Sequence, residues 1–476
     1  MGGFFGVVGK KDVVQDLFYG VDYHSHLGTK RGGLAVGNAG GIARYIHNIE
    51  NAQFRSKFEE DVRKLHGSRG IGVISDFEDQ PLLVRSHLGH FSIATVGIVR
   101  NIDVLVERAF RAKRIHFSEM RGGAINPTEL IAALISQKES FEEGIRHVWD
   151  MIEGSCSILI LTDEGVLAAR DSMGRTPIVL GKKPGSYAAT FETCAFPNLG
   201  FETERFLGPG EMVMITPEGF ETRVPPRDTL QICAFLWVYY GYPASNYEGI
   251  NVETVRNACG EILARNEKVE VDLVAGIPSS GIGHGLGYAA AAHIPFRRPF
   301  VKYTPTWARS FMPQHQDVRD TVARMKLIPI REIIQGRKLL FCEDSIVRGT
   351  QLKDTIQRLY ESGAIEVHMR PACPPLVYGC PFLNFSRSRS ELDLAARKAI
   401  RALDGPDSTD YGEYTRAGSE KYEAMVAWIA QSLGLTSLRY QRLDDLVKAI
   451  GLPKSKVCTY CWDGVDDTAK SPRLFE

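Results

Sequence analysis

Short apolar runs broken by polar turns fill the first half of the chain, whereas apolar runs spaced by amphipathic stretches fill the second. The runs at 4–8, 70–74, 91–96, 156–162 and 166–170 have the length and turn punctuation of strands. Segments 127–137 and 141–152 carry a helical period, so an α+β sandwich is expected over the first half. The run 209–215 and the Pro225-Pro226 turn close that half, and Cys233 opens a new region. From 252 onward the pattern alternates. A helix at 252–266 is followed by a strand at 271–277, the turn 278–281 and an Ala-rich helix to 293. A strand at 300–303, a loop, a strand at 339–342, a helix at 350–363 and a strand at 365–370 follow. Strands spaced by helices imply a mainly parallel sheet. Segment 379–417 reads as loop at both ends with a helical middle at 391–403. Helices at 420–433 and 442–449 then lead to Cys458 and Cys461.

With 476 residues the chain exceeds one ordinary core, and boundaries at 1–230 and 231–476 are expected. Lys+Arg and Asp+Glu both number 57, so the net charge is zero. That balance argues against a nucleic-acid partner or a polybasic membrane patch. The longest apolar run, 232–240, is too short to span a bilayer, and no charged, apolar leader is visible. Nine cysteines without a secretion signal read as thiols or metal ligands, and a cytoplasmic location is expected.

The densest chemistry lies in 339–351. An apolar strand ends in Glu343-Asp344, and Ser345, Ile346, Val347, Arg348, Gly349 and Thr350 follow into a helix. Open α/β sheets place ligands at the carboxyl ends of their strands. Gly349 permits a tight turn, Thr350 can cap the helix, and helix N–H groups attract phosphate. Mg²⁺ needs only one or two carboxylates plus substrate oxygens, which Glu343 and Asp344 can supply. The neighbouring turn Gly276-Ile-Pro-Ser-Ser-Gly281 offers small residues to a pyrophosphate. An acidic pair after a strand also occurs in plain strand–turn–helix units, but the whole run is more specific.

Glu343-Asp-Ser-Ile-Val-Arg-Gly-Thr350 resembles the phosphoribosyl-pyrophosphate (PRPP) motif of type I phosphoribosyltransferases, and most closely that of the amidophosphoribosyltransferase family. The resemblance covers nearly the whole chain, through Phe300-Val-Lys-Tyr303, Ala308-Arg-Ser-Phe-Met-Pro313, Gln316, Arg319 and Met325-Lys-Leu327. It implies an N-terminal Ntn-hydrolase-like sandwich followed by an α/β phosphoribosyltransferase domain with a Cys-containing extension. It implies Ser280, Glu343 and Asp344 as Mg²⁺ ligands, with Ser279 beside them on the substrate. Lys302, Arg309 and Lys326 would face the diphosphate, with Arg309 and Lys326 catalytic through the charge of the leaving pyrophosphate. Residues 346–350 would cradle the 5′-phosphate. The chain departs from the family where Glu343 and Ser279 replace aspartates. The loop 303–309 is also longer and stiffened by Pro305, which bears on lid closure.

Family members begin with a Cys whose thiolate attacks glutamine. Here Met1-Gly2-Gly3-Phe4 puts Gly2 in that place, and glycine cannot form an acyl-enzyme. The family's carboxylate-binding Arg is replaced by Ser75 and its oxyanion-hole side chain by Val96. Its Ser-Asp pair is replaced by Asn126-Pro127. The scaffold run Ala168-Ala-Arg-Asp-Ser-Met-Gly174 persists. A pseudo-glutaminase is expected, with Cys156 and Cys194 as buried structural thiols.

Cys458-Thr-Tyr-Cys461 alone fits a metal site, a redox pair or coincidence. By the resemblance, Cys233, Cys380, Cys458 and Cys461 would hold a [4Fe–4S] cluster, with zinc as the alternative and Cys373 as a competing ligand. The functional expectation is formation of 5-phosphoribosylamine from Mg-PRPP, with free ammonia or ammonia from an active amidotransferase partner. The other reading is a non-catalytic PRPP-binding regulatory paralogue. The family further suggests a homo-oligomer.

Overall fold

The computed structural model describes residues 2–111, 117, 120–121, 124–303, 327–383 and 391–466. Two antiparallel sheets occupy the first half. One has seven strands, in the order Glu202–Phe206, Val179–Lys183, Ser186–Thr190, Gly3–Gly9, Arg69–Ser75, Arg31–Asn38 and Gly41–Asn48. The other has six, with Gly219–Val224 and Leu82–Ser86 at its edges and Gly154–Leu161 next to Gly89–Val99.

The strand Gly3–Gly9 shows why the sheets stack. Phe4 and Val8 point into the core between the sheets with Ile71, Val73, Leu159, Leu161 and Val166. Phe5 and Val7 point the other way, onto the helices Val14–Asp22 and Phe54–Lys64. A strand buried on both faces loses the polar alternation of a half-exposed one. Helices Pro127–Ile135 and Phe141–Met151 cover the second sheet, which completes a helix–sheet–sheet–helix sandwich. The retained run at 168–174 forms a turn pinned from inside. Asp171 accepts from the N–H groups of Arg175 and Thr176 at 3.0 Å each. Buried Arg170 donates to the carbonyls of Thr176 and Gly174 and pairs with Glu248 of the second half at 2.7 Å.

The second half is built on four parallel strands, Leu273–Gly276, Lys338–Glu343, Glu366–Pro371 and Ser437–Leu438. One face packs on Thr350–Glu361, Ala395–Asp404 and Glu420–Leu433. The other packs on Val252–Arg265 and Ile282–Ala292. Phe300–Lys302 does not join this sheet, contrary to expectation. It pairs antiparallel with Leu327–Pro329 in a separate ribbon. The apolar run at 232–240 is divided between a two-residue strand, Ile232–Cys233, and a π-helical turn, Leu236–Tyr240. Its Trp237 and Val238 extend the inter-sheet core into the second half. Among the described residues, no helix is long and apolar enough to cross a membrane.

Candidate functional site

Gly276 lies opposite Cys342 in the parallel ladder, so the turns that follow the two strands leave the same sheet edge side by side. The Cys342 carbonyl accepts from the Ile277 N–H at 3.0 Å. A Cβ on Gly281 would lie 2.2 Å from that carbonyl oxygen, so only glycine lets the turn sit this close. Ser280, 63 positions away in sequence, thereby donates its hydroxyl to Glu343 Oε1 at 3.0 Å. The Asp344 N–H donates to the same oxygen at 3.0 Å, and Ser345 Oγ donates to Asp344 Oδ1 at 2.5 Å.

Both carboxylates are buried, Glu343 at 8% exposed and Asp344 at 5%. Burial pushes the Glu343 carboxyl well above its usual range, and the adjacent Asp344 charge adds to this. A divalent cation would offset both effects, and Ser280, Glu343 and Asp344 supply hard oxygen donors of the kind Mg²⁺ takes, so their chemistry fits it. Beneath them lies Arg256, which nothing in the local sequence marks out. Its guanidinium donates to the carbonyls of Trp237, Tyr239 and Gly241. Burial lowers its pKa, and the negative charge of Asp344 opposes that.

Ile346 is anchored in the core, Ser345 and Val347 are half-buried, and Ser279, Arg348 and Thr350 are exposed. Gly349 has φ of 77° and is itself the N-cap, with no side-chain cap bond. The expected cap at Thr350 is thus corrected: Thr350 is the first helical residue, and the helix ends at Glu361. Lys302 is exposed at the end of the ribbon. Arg309 and Lys326 lie outside the described residues, as do Gln316, Arg319 and 308–313.

The four cysteines of the expected cluster converge. The strand Val457–Cys458 runs parallel to Ile232–Cys233, with Cys458 opposite Cys233. Cys380 and Cys461 line the same small cavity of about 10 Å³, and Cys373 does not. The Cys461 thiol donates to Cys380 and, with backbone N–H groups of Phe382 and Leu383, holds the Cys380 thiol down to about 7. Arg175 was not foreseen here. Its Nη1 donates to Cys458 Sγ at 2.9 Å, and its guanidinium stacks 3.3 Å from the centre of the Phe382 ring. The donors, four thiols with N–H groups aimed at sulfur, have the right chemistry for an iron–sulfur cluster or zinc. Among the described residues, no group of three or more His, Cys, Asp or Glu is drawn together closely enough to hold a single ion.

A third site surrounds Gly2. Gly2, Ser75, Val96 and Cys156 line a cavity of about 260 Å³. A Cβ on Gly2 would lie 2.5 Å from the Ile74 carbonyl oxygen, so the backbone has closed over the space a nucleophile would need. Asn126 and Pro127 are helix punctuation. The Asn126 side chain accepts from the Thr128 N–H at 2.9 Å, and Pro127 takes the first helical position. Cys156 reaches the cavity wall, but burial pushes its thiol far up, as the structural reading requires. Buried Cys194 is likewise pushed up by burial and by the charge of Glu192.

Glu78 also lines this cavity and escaped the sequence reading, since Asp76-Phe-Glu-Asp79 looks like a solvated loop. Burial pushes its carboxyl up to about 7, the Asp76 charge adds to that, and the Gln80 amide, donating at 2.8 Å, opposes it.

No protein-family model matches the chain. It is 28% identical over 461 residues to the amidophosphoribosyltransferase of Bacillus subtilis, covering 94% of this chain and 89% of that one. In structure it is similar to the glutamine PRPP amidotransferase from B. subtilis complexed with ADP and GMP. The TM-score is 0.83 at 27% identity, over 97% of this chain and 96% of that one. Both halves are therefore accounted for, as an Ntn-hydrolase-type amidotransferase sandwich followed by a phosphoribosyltransferase domain. It is also 30% identical over 396 residues to the amidophosphoribosyltransferase of Archaeoglobus fulgidus, covering 77% of this chain and 86% of that relative. On that evidence the chain belongs to the amidophosphoribosyltransferase family.

Proposed function

We propose that the chain binds Mg-PRPP between the turns 276–281 and 343–350, and joins ammonia to the ribose with release of pyrophosphate. The observation that carries this reading is the meeting of Ser280 with the buried Glu343–Asp344 pair at the shared sheet edge. Mg²⁺ held there would neutralise the diphosphate. Ser279, Ser345 and 346–350 would hold phosphate and ribose, and Lys302, Arg309 and Lys326 would bring positive charge to the leaving group. The domain boundary belongs near 230, where the last sandwich strand has ended.

Glutamine is not the nitrogen source in this reading. Gly2 offers no nucleophile and no room for one, Ser75 offers no cation for a carboxylate, and Val96 offers no donor to an oxyanion. Cys233, Cys380, Cys458 and Cys461 would hold a [4Fe–4S] cluster that ties the end of the chain to the start of the second domain. Iron and acid-labile sulfide should be found in anaerobically purified protein. One zinc per chain would replace the cluster assignment.

The altered loop at 303–309 and Ser279 favour a second reading, a PRPP-binding regulatory paralogue or subunit of an active amidotransferase. Pyrophosphate release from Mg-PRPP, measured with ammonium and then with glutamine, separates the two. Turnover with ammonium alone supports the transferase. PRPP binding without turnover supports the regulator, and turnover with glutamine overturns the loss of the glutaminase.

A further inference from the structure

The four-cysteine cavity contains one residue from the first half of the chain. Arg175 lines it together with Cys233, Cys380, Cys458 and Cys461, and every other described residue of its wall lies beyond position 230. The backbone that carries Arg175 is pinned on both sides. Its N–H donates to buried Asp171 at 3.0 Å, and its carbonyl accepts the Cys233 N–H at 3.2 Å. The side chain then enters the cavity, where Nη1 donates to Cys458 Sγ at 2.9 Å and the guanidinium lies 3.3 Å from the centre of the Phe382 ring. One residue thus touches Cys233 through its backbone, Cys458 through its side chain, and the segment after Cys380 through Phe382.

A guanidinium only 3% exposed is costly unless negative charge faces it. Asp466 stands 3.5 Å from Nη2 and is itself 29% exposed, which makes it a weak counter-ion. Thiols are neutral, but four thiolates around iron leave the assembled centre anionic, and the buried cation is then matched. We propose that Arg175 is the counter-charge of this centre, and that through Cys458 Sγ it raises the centre's reduction potential. An N–H bond to a ligating sulfur and a buried cation both favour the reduced, more negative state. Asp466, on the other nitrogen, draws the guanidinium's charge away from sulfur and acts in the opposite sense. The inference rests on the reading that the four cysteines hold a [4Fe–4S] cluster.

The test is an anaerobic redox titration of the full-length, iron-loaded protein with a europium(II) chelate, followed by electron paramagnetic resonance. One electron passes to the centre from Eu(II), which becomes Eu(III), and no bond forms or breaks. Arg175→Met should keep iron and acid-labile sulfide, yet shift the reduction equilibrium about tenfold or more toward the oxidised form, ~59 mV for one electron. Asp466→Asn should shift it the other way. A merely structural Arg175 would change iron content or melting temperature without these opposite shifts. An unmoved potential in iron-replete Arg175→Met overturns the inference. Should Arg175→Met fail to hold iron, Asp466→Asn decides the matter, and an unmoved or lowered potential there overturns it. Zinc in place of iron in the unaltered protein would instead remove the cluster reading, and this inference with it.

Discussion

The turn at Glu343 and the cavity at Gly2 differ in what their polar residues do. At Glu343 the side-chain hydrogen bonds converge on acids: Ser280 and the Asp344 N–H donate to one carboxyl group, and Ser345 donates to the other. At Gly2 the polar positions serve the fold. Asn126 caps a helix, Pro127 starts it, and Val96 is part of the wall. On the proposed function, the first site retains buried acids at a cost to stability because it binds, whereas the second, without its chemistry, relaxes toward ordinary packing and capping.

The largest effect should come from removing the charge at the first site. Glu343→Ala with Asp344→Ala should weaken Mg-PRPP binding by ~100-fold or more, about 2.7 kcal/mol. Because burial and Asp344 raise the Glu343 pKa, Mg-PRPP affinity in the unaltered protein should also fall as the solution is made acid, read by titration calorimetry. Unchanged affinity in the double variant would place the PRPP site elsewhere and end the comparison. Next in size is the cysteine cavity. Cys458→Ser should lose iron and acid-labile sulfide together, and should free Arg175 from its sulfur contact. Iron retained at full content would exclude Cys458 as a ligand.

Gly281→Ala tests whether the turn at 276–281 is shaped for its neighbour. Its Cβ would strike the Cys342 carbonyl, so a loss of about 1–3 kcal/mol in chemical denaturation is expected, with weaker PRPP binding.

The sandwich runs at 4–8, 70–74, 91–96, 156–162 and 166–170 and the longer strands of the parallel sheet were legible because each is a compact apolar run between turn residues, whereas Val179–Lys183 and Ser186–Thr190, which mix apolar with small and polar residues, were not. The run at 339–342 proved to be Lys338–Glu343. The hairpin of Arg31–Asn38 and Gly41–Asn48 was not, since Arg31-Gly-Gly-Leu-Ala-Val-Gly-Asn38 is diluted by glycine and its partner strand is only half-buried. Ser437–Leu438 is too short to carry a period, and only tertiary pairing makes it a strand. Phe300–Lys302 was visible as a strand but not its neighbour, because a partner across a long connection leaves no local signal. The acidic turn at 343–350 stood out in the sequence because its polar residues are contiguous, and Glu78, Arg175 and Arg256 did not because their contacts join distant segments.

Glu78→Gln gives a smaller effect with a diagnostic sign. The folded protein holds the Glu78 proton up to about 7, while the unfolded chain loses it near 4.5, so the carboxylate costs stability only as pH rises through that window. Glu78→Gln should therefore raise Tm by a few degrees at about pH 8 and leave it unchanged at about pH 4. Equal melting at both values would mean that Glu78 is solvated and the cavity carries no buried charge.

The smallest expected effect sharpens the comparison most. Gly2→Cys returns a thiol to the first strand, yet glutamate release from glutamine should remain undetectable. The Cβ would press on the Ile74 carbonyl, the substrate's carboxylate would face Ser75 instead of an arginine, and the oxyanion would face Val96. Nucleophile, clamp and oxyanion donor act as one unit in such chemistry, so restoring one leaves the others still missing. Measurable glutaminase activity from this single change would show that the cavity still recognises glutamine. The two sites would then differ by one side chain rather than by a change of purpose.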